Sequence, residues 1–398
     1  MEYYADILIV GGGIIGLCIA RELLAQGYEN IYLIDKEVAL GKHASGRNSG
    51  VLHAGIYYPP GSLKAQSCLR GNFLMRAYCQ ERELPLHETG KVIVTTREED
   101  IPLLHELHRR ATANGAKVDL IDECELHEIE PFARTHQLAL FSHYTAVVDP
   151  KRVLLSLRDD LLSSGRLRLL LGCAFQNMPA ANVAGTTAGP IRFKVLINAA
   201  GAHCDRIARK FGLAANFRLV PFKGTYRKLR QKKNHLVRGN IYPVPDIRNP
   251  FLGVHLSRNV HGEVYLGPTA MPALGRENYG LVSGIDLEAP LICLRDAVLF
   301  LANPYFRQVA LTEPKKYCPR SFYDDVRKLV RQLTPEDIVP SDKAGIRAQL
   351  VNWTTKELIM DFLVLREERS VHILNPISPG FTSAMDLART VVAQYLPS

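Results

Sequence analysis

No Cys-x-x-Cys pair occurs among the eight cysteines, which are scattered at positions 18, 68, 79, 124, 173, 204, 293 and 318. A metal centre built on cysteine therefore has no support, and no metal site is expected. A disulfide framework is not expected either in so long a chain that opens without an export signal. The expectation is a reducing, cytoplasmic compartment. The longest apolar stretch, ILIVGGGIIGLCIA, covers 14 residues and is broken by glycines. It falls short of the roughly 20 residues that span a bilayer. No run of lysine and arginine interleaved with aromatics is present, so nucleic acid is not an expected partner. Repeats and low-complexity segments are also missing. What remains is ordinary globular composition, 47% hydrophobic and 22% charged over 398 residues, which fits about two domains. The net charge of +9 suits an anionic small-molecule substrate or an anionic membrane face.

The first thirty-five residues carry the clearest pattern. ADILIV (5–10) reads as a fully buried strand, and GGGIIG (11–16) follows directly. LCIARELLAQG has helical spacing and ends on Gly27; NIYLIDKE is a second strand bearing Asp35. This is Gly-x-Gly-x-x-Gly at Gly11, Gly13 and Gly16 between strand and helix, with an acid at the end of the next strand. Gly11 permits the tight turn, Gly13 lets backbone approach a pyrophosphate, and Gly16 lets the helix lie against the strand. The helix start, with Ile14 and Ile15, offers N–H groups and a positive dipole end to phosphate. Asp35 can accept from ribose hydroxyls, with Lys36 beside it. Regular β–α alternation then stops at residue 37, and a long glycine-rich loop follows, as expected where a flavin rather than a nicotinamide extends from its ADP half.

Further along, Ser62 is placed to cap a helix over 62–83, and KVIVTT (91–96) reads as a strand followed by a helix near 98–114. DECELHEIEP reads as a short capped helix stopped by Pro131, and VVDPKRVLLSLRDDLLSSG as a helix started by Asp149 and Pro150. KVLINAAGAHCDRIARKFG repeats the strand–glycine–helix plan. Residues 217–268 are β-rich, 286–334 helical, and SPGFTSAMDLARTVVAQYL (378–396) is a glycine turn into a last helix.

The blocks GGGIIG, GRNSGVLHAGIYYPPGSLKAQ, GNIYPVPDIRNPFLGVHLSR, YLGPTA, AGIRAQ and ISPGFTSA run from residue 11 to 384. Through them the chain resembles the L-2-hydroxyglutarate dehydrogenase/oxidase family, within the D-amino-acid-oxidase-like FAD-dependent oxidoreductases. The resemblance implies a mixed α/β fold. Residues 1–90, 145–215 and 340–398 would form a Rossmann-like FAD domain; 91–144 and 216–339 would form a β-rich substrate domain. It implies FAD as cofactor, a 2-hydroxy dicarboxylate as substrate, and quinone or oxygen as electron acceptor; the sequence pI of about 9.1 fits peripheral association with an anionic inner-membrane face. His53 is the candidate base, with His255 and His372 as rivals. Tyr57, Lys223, Tyr242, His255 and Arg347 are candidates for the substrate. Ser45, Arg47, Asn48 and Ser49 would line the ribityl and ring, and Lys64 would shape the wall beyond. Ala200 and Gly201 would pass the ADP half, and Gly345, Gly380, Phe381 and Thr382 would contact the flavin through backbone. The family usually has Asn-Ala-Pro-Ser-Pro-Ala-Ala-Thr-Ser where this chain has NPISPGFTS (375–383), and arginine where it has Lys223. An amine or amino-acid oxidase for glycine or sarcosine-like compounds keeps the fold and changes the substrate. An electron-transfer subunit of a complex is the reading from a different class.

Overall fold

Ile7, Leu8, Ile9 and Val10 are all buried, so the strand they close, Tyr3–Val10, must be covered on both faces. It sits inside a sheet accordingly. The computed structural model describes residues 3–248 and 251–396. Residues 1, 2, 249, 250, 397 and 398 lie outside the described residues, and with them the Asn-Pro of the GNIYPVPDIRNP block. The chain divides into two units: Met1–Arg47, Pro150–Pro221 and Arg347–Ser398 form the first, and Asn48–Asp149 with Phe222–Ile346 the second.

In the first unit Tyr3–Val10 pairs in parallel with Ile31–Asp35 on one side and Gly189–Asn198 on the other. Leu167–Leu171 extends the sheet beyond Ile31–Asp35, and Ser370–Leu374 pairs in parallel with Gly189–Asn198. The register sets Val10 level with Ile34 and Asn198, so the carboxyl ends of three strands coincide. The helices Ile14–Ala25, Pro150–Ser163 and Gly380–Tyr395 pack together beside this sheet. An antiparallel hairpin, Phe175–Ala180 with Val183–Thr186, widens the sheet. Asn177 and Pro179 break its alternation, and nothing in the sequence announces it.

The second unit is built on a largely antiparallel sheet. Lys91–Val94 runs parallel to Asn240–Pro243 and antiparallel to Ala139–Ser142; His255–Arg258 pairs antiparallel with Asn240–Pro243. Successive residues point to opposite faces. Val92, Val94, Ile241 and Leu256 form one apolar layer with Phe322 and Val326 of the helix Pro319–Val326. Ile93 and Tyr242 face the other way, into a layer with Ala54, Ile56 and Tyr57. Lys91 shares the Ile93 side by the same alternation.

Several expected boundaries move. Residues 48–90, 145–149 and 340–346, expected with the cofactor domain, belong to the second unit, and 216–221 belong to the first. The cause is pairing: Val51–Leu52 and Leu86–His87 both pair with Ala146–Val148, which ties the loop after residue 47 to the second unit. The helix expected to be started by Asp149 and Pro150 does begin at Pro150, directly after the strand Ala146–Val148. The 91–96 strand ends at Val94, and the helix expected near 98 opens with a short 3-10 turn before Ile101–Ala113.

Candidate active site

Side chains from the helices beside it hold the loop from His53 to Tyr58 by its carbonyls. The Asn72 amide, on the helix Leu63–Glu81, donates to the carbonyls of His53 (3.0 Å), Leu52 (3.2 Å) and Tyr144 (3.0 Å). The Cys68 thiol adds a contact to the His53 carbonyl at 3.4 Å. The Asn114 amide donates to Gly55 (2.9 Å) and Tyr58 (3.0 Å), and Arg110 donates to the Tyr57 carbonyl at 3.3 Å. A loop fixed in this way presents its side chains in one geometry, which is what a reacting site requires.

His53 is 9% exposed. Burial, then the nearby Lys91 charge and His255, hold its imidazole well below the usual pKa of 6.5. It is therefore neutral at pH 7 and able to accept a proton. Tyr242 stacks on His255 with ring centroids 3.8 Å apart and 20° between planes, and the His255 Nδ1 lies 2.9 Å from the Gly253 carbonyl. The Lys91 ammonium lies over two rings, 4.7 Å from the Tyr57 centroid and 4.9 Å from that of Tyr242. Burial pulls its pKa down to about 7. Burial and Tyr242 push the Tyr57 phenol well above 10. Among the described residues neither Lys91 Nζ nor the Tyr57 hydroxyl has a hydrogen-bond partner. Thus the second unit brings together His53, Tyr57, Tyr242 and His255 of the expected residues, and adds Lys91.

In the first unit the strand ends converge on the glycine turn. Gly11 has φ +115°, and a Cβ on it would lie 2.4 Å from the Ala199 carbonyl oxygen. A Cβ on Gly16 would lie 2.0 Å from the Gly11 oxygen. The helix Ile14–Ala25 starts at Gly13 without a capping bond from its own side chain; the Ser45 hydroxyl instead accepts from the Ile14 N–H at 2.9 Å. Asp35 accepts from the N–H groups of Gly12 (2.7 Å) and Glu37 (2.8 Å), which turns its carboxylate toward the same crevice. Each of its oxygens keeps a lone pair for a further donor. Ala200 and Gly201 follow the Gly189–Asn198 strand directly, at the same sheet edge.

The family model described as FAD dependent oxidoreductase matches residues 6–394. The chain belongs to this family. It is 36% identical to the mitochondrial L-2-hydroxyglutarate dehydrogenase of Nematostella vectensis, over 98% of this chain and 90% of the relative. It is 32% identical to the L-2-hydroxyglutarate dehydrogenase of Indibacter alkaliphilus over 97% of both. Dithionite-reduced L-alpha-glycerophosphate oxidase from Mycoplasma pneumoniae, solved with FAD bound, superposes with a TM-score of 0.78 at 22% identity, covering 98% of this chain and 94% of that one. The fold of this FAD dependent oxidoreductase is therefore that of the D-amino-acid-oxidase-like flavoenzymes. Its first unit fits an ADP-bearing cofactor on its own geometry. The Gly11 and Gly16 positions tolerate no side chain, the helix start faces the crevice, and an acid closes its far side.

The remaining expected residues fall as follows. Arg47 donates to the Lys42 carbonyl at 2.6 Å, and Lys36 lies against Glu37 and His43. Asn48 and Ser49 open the second unit, their side-chain oxygens accepting from Gly50 and Val51. Lys64 is buried on the first turn of its helix. Gly345 and Arg347 lie on the long strand Ile338–Asn352, and Gly380, Phe381 and Thr382 form the first turn of the last helix. Lys223 gives its ammonium to the Gly280 carbonyl (2.7 Å) and the Asn278 oxygen (3.3 Å). His372, a rival base by sequence, has both ring nitrogens engaged, with Asn198 at 3.0 Å and Ser370 at 2.9 Å, inside the first unit's core. Burial lowers it to about 4.

Proposed function

We propose that this flavoenzyme oxidises L-2-hydroxyglutarate to 2-oxoglutarate, with His53 as the base. The observation that carries the reading is a buried, neutral imidazole on a loop whose carbonyls are pinned by Asn72, Asn114 and Arg110. The substrate is taken from the named relatives. FAD, when bound, supplies the two-electron acceptor for the hydride that leaves C2. His53 accepts the C2 hydroxyl proton on a ring nitrogen as the C–O bond becomes a carbonyl. Tyr57, Tyr242 and His255 line the substrate, and Lys223 is a further candidate. Arg347 is the candidate to grip a carboxylate with two parallel hydrogen bonds. Gly11, Gly13, Ile14, Ile15 and Gly16 would hold the pyrophosphate, Asp35 and Lys36 the ribose side, and Ala200 and Gly201 the rest of the ADP half. Ser45, Arg47, Asn48, Ser49, Gly345, Gly380, Phe381 and Thr382 would hold the flavin half. The experiment is a dye-linked assay with product analysis. L-2-Hydroxyglutarate should yield 2-oxoglutarate, and the D enantiomer, glycine and sarcosine should not; turnover of an amine alone would overturn the reading.

For the acceptor we propose quinone or oxygen, with the protein docked peripherally on an anionic membrane. No helix among the described residues is long and apolar enough to cross one. The helix Ala289–Ala302 nevertheless turns Leu291, Leu294 and Leu301 to solvent, and Leu281, Val282 and Leu287 before it are exposed as well. An apolar outer face followed by Arg307 and Lys315 has the chemistry of an interfacial segment. Leu291→Glu with Leu294→Glu should abolish sedimentation with phosphatidylglycerol vesicles at low salt. Unchanged sedimentation would dismiss this face.

A further inference from the structure

A lysine at the start of a buried strand is costly unless its charge has a use. Lys91 is 1% exposed, and among the described residues its ammonium has no hydrogen-bond acceptor and no carboxylate partner. It lies between the rings of Tyr57 and Tyr242, and rings satisfy a cation only in part. The Tyr57 hydroxyl is a second buried donor without a partner among the described residues. Two buried donors of this kind suit an anionic acceptor. His53 is close enough for the Lys91 charge to act on it, so an anion held here lies beside the proposed base. The strand register explains why the lysine is there at all. Tyr242 is level with Ile93, and alternation returns Lys91 to the Ile93 side of the sheet, the side that carries Tyr57 and Tyr242.

We propose that Lys91, assisted by the Tyr57 hydroxyl, receives the second carboxylate of the substrate and selects dicarboxylic over monocarboxylic 2-hydroxy acids. This rests on the function proposed above and deepens it. Lys223, the lysine assigned to the substrate from sequence, gives its ammonium to Gly280 and Asn278. Burial leaves the Lys91 amine at about 7, so above neutrality the free protein holds it largely uncharged. An arriving carboxylate restores the charge, and binding takes up a proton. The groups facing Lys91 are His53, Tyr57, Cys68, Tyr242 and His255. Burial pushes the Cys68 thiol up to about 12 and the Tyr57 phenol well above 10, and holds His53 well below 6.5.

The test compares L-2-hydroxyglutarate with L-2-hydroxyvalerate, in which a methyl replaces the second carboxylate. The wild-type holoenzyme should prefer the dicarboxylate. K91Q should lose roughly 10- to 100-fold in kcat/KM on L-2-hydroxyglutarate, mainly through KM, and change little on L-2-hydroxyvalerate. K91R should retain most of the preference. The wild type gives a second readout that needs no glutamine variant to fold. Glutarate binding at pH 8, followed calorimetrically in buffers of different ionisation enthalpy, should take up about one proton per site. K91R, which cannot release its proton and leaves His255 in place, should take up none. An unaltered dicarboxylate preference in K91Q, or proton uptake that persists in K91R, overturns the assignment. A wild-type enzyme that fails to oxidise L-2-hydroxyglutarate at all overturns the function reading instead, so the two failures are distinguishable.

Discussion

His53→Ala is expected to slow reduction of the bound flavin by L-2-hydroxyglutarate by roughly 10²- to 10⁴-fold, the usual worth of a positioned base. Flavin content should stay at the wild-type level. The second expectation follows from how the loop is held. Asn72 and Cys68 bind the carbonyl of residue 53, and truncating its side chain leaves that bond in place. The residues expected to hold the pyrophosphate and ribose belong to the other compact unit. The pH profile carries an independent signature. A base must be neutral, and His53 is held well below 6.5 by burial, Lys91 and His255. Activity that depends on it is present above that lowered pKa and is lost as pH falls through it. The acid limb of kcat should therefore lie below 6.5 in the wild type and disappear from the residual rate of His53→Ala. A His53→Ala holoenzyme that turns over at the full rate would remove the histidine from the chemistry.

Gly11→Ala is expected to give a colourless protein. The position has φ +115°, a conformation L side chains rarely adopt, and the new Cβ would lie 2.4 Å from a backbone oxygen, that of Ala199. Neither atom is the end of a flexible chain, so the turn or the neighbouring strand end must move. Both border the crevice in which the helix start and Asp35 converge. Cofactor affinity should fall at least about tenfold, because the phosphate cradle depends on close approach of backbone. Absorbance of the purified variant near 450 nm, against its far-ultraviolet circular dichroism, separates cofactor loss from unfolding. Stoichiometric flavin in Gly11→Ala would show that the turn is not the cradle.

Much of the architecture was legible because its signals are local. Ser62 does cap its helix, accepting from Ala65 at 3.1 Å, and Asp122 with Glu125 forms the reciprocal cap that DECELHEIEP suggests. The Gly11–Gly16 turn and Asp35 lie where strand, helix and strand require. The illegible parts depend on pairing across long stretches of chain. The loop after Arg47 reads as part of the cofactor half, yet strand pairing with Ala146–Val148 takes it into the second unit. Asn72, Asn114 and Arg110 look like ordinary polar positions on or just beyond two helices, and only the fold shows their bonds to loop carbonyls. Lys91 is hard to read for a similar reason. KVIVTT announces a buried strand but does not say which face its alternate residues take. One signal was available: a lysine opening an otherwise apolar run demands a partner or a purpose.

The central claim is that this chain removes a hydride and a hydroxyl proton from the C2 centre of one enantiomer of a hydroxy dicarboxylate. Anaerobic stopped-flow reduction of the bound flavin tests it most directly. L-2-Hydroxyglutarate should bleach the yellow absorbance in a single turnover, more slowly when C2 carries deuterium, and D-2-hydroxyglutarate should leave it intact. Bleaching by both enantiomers alike, or by neither, would contradict the account.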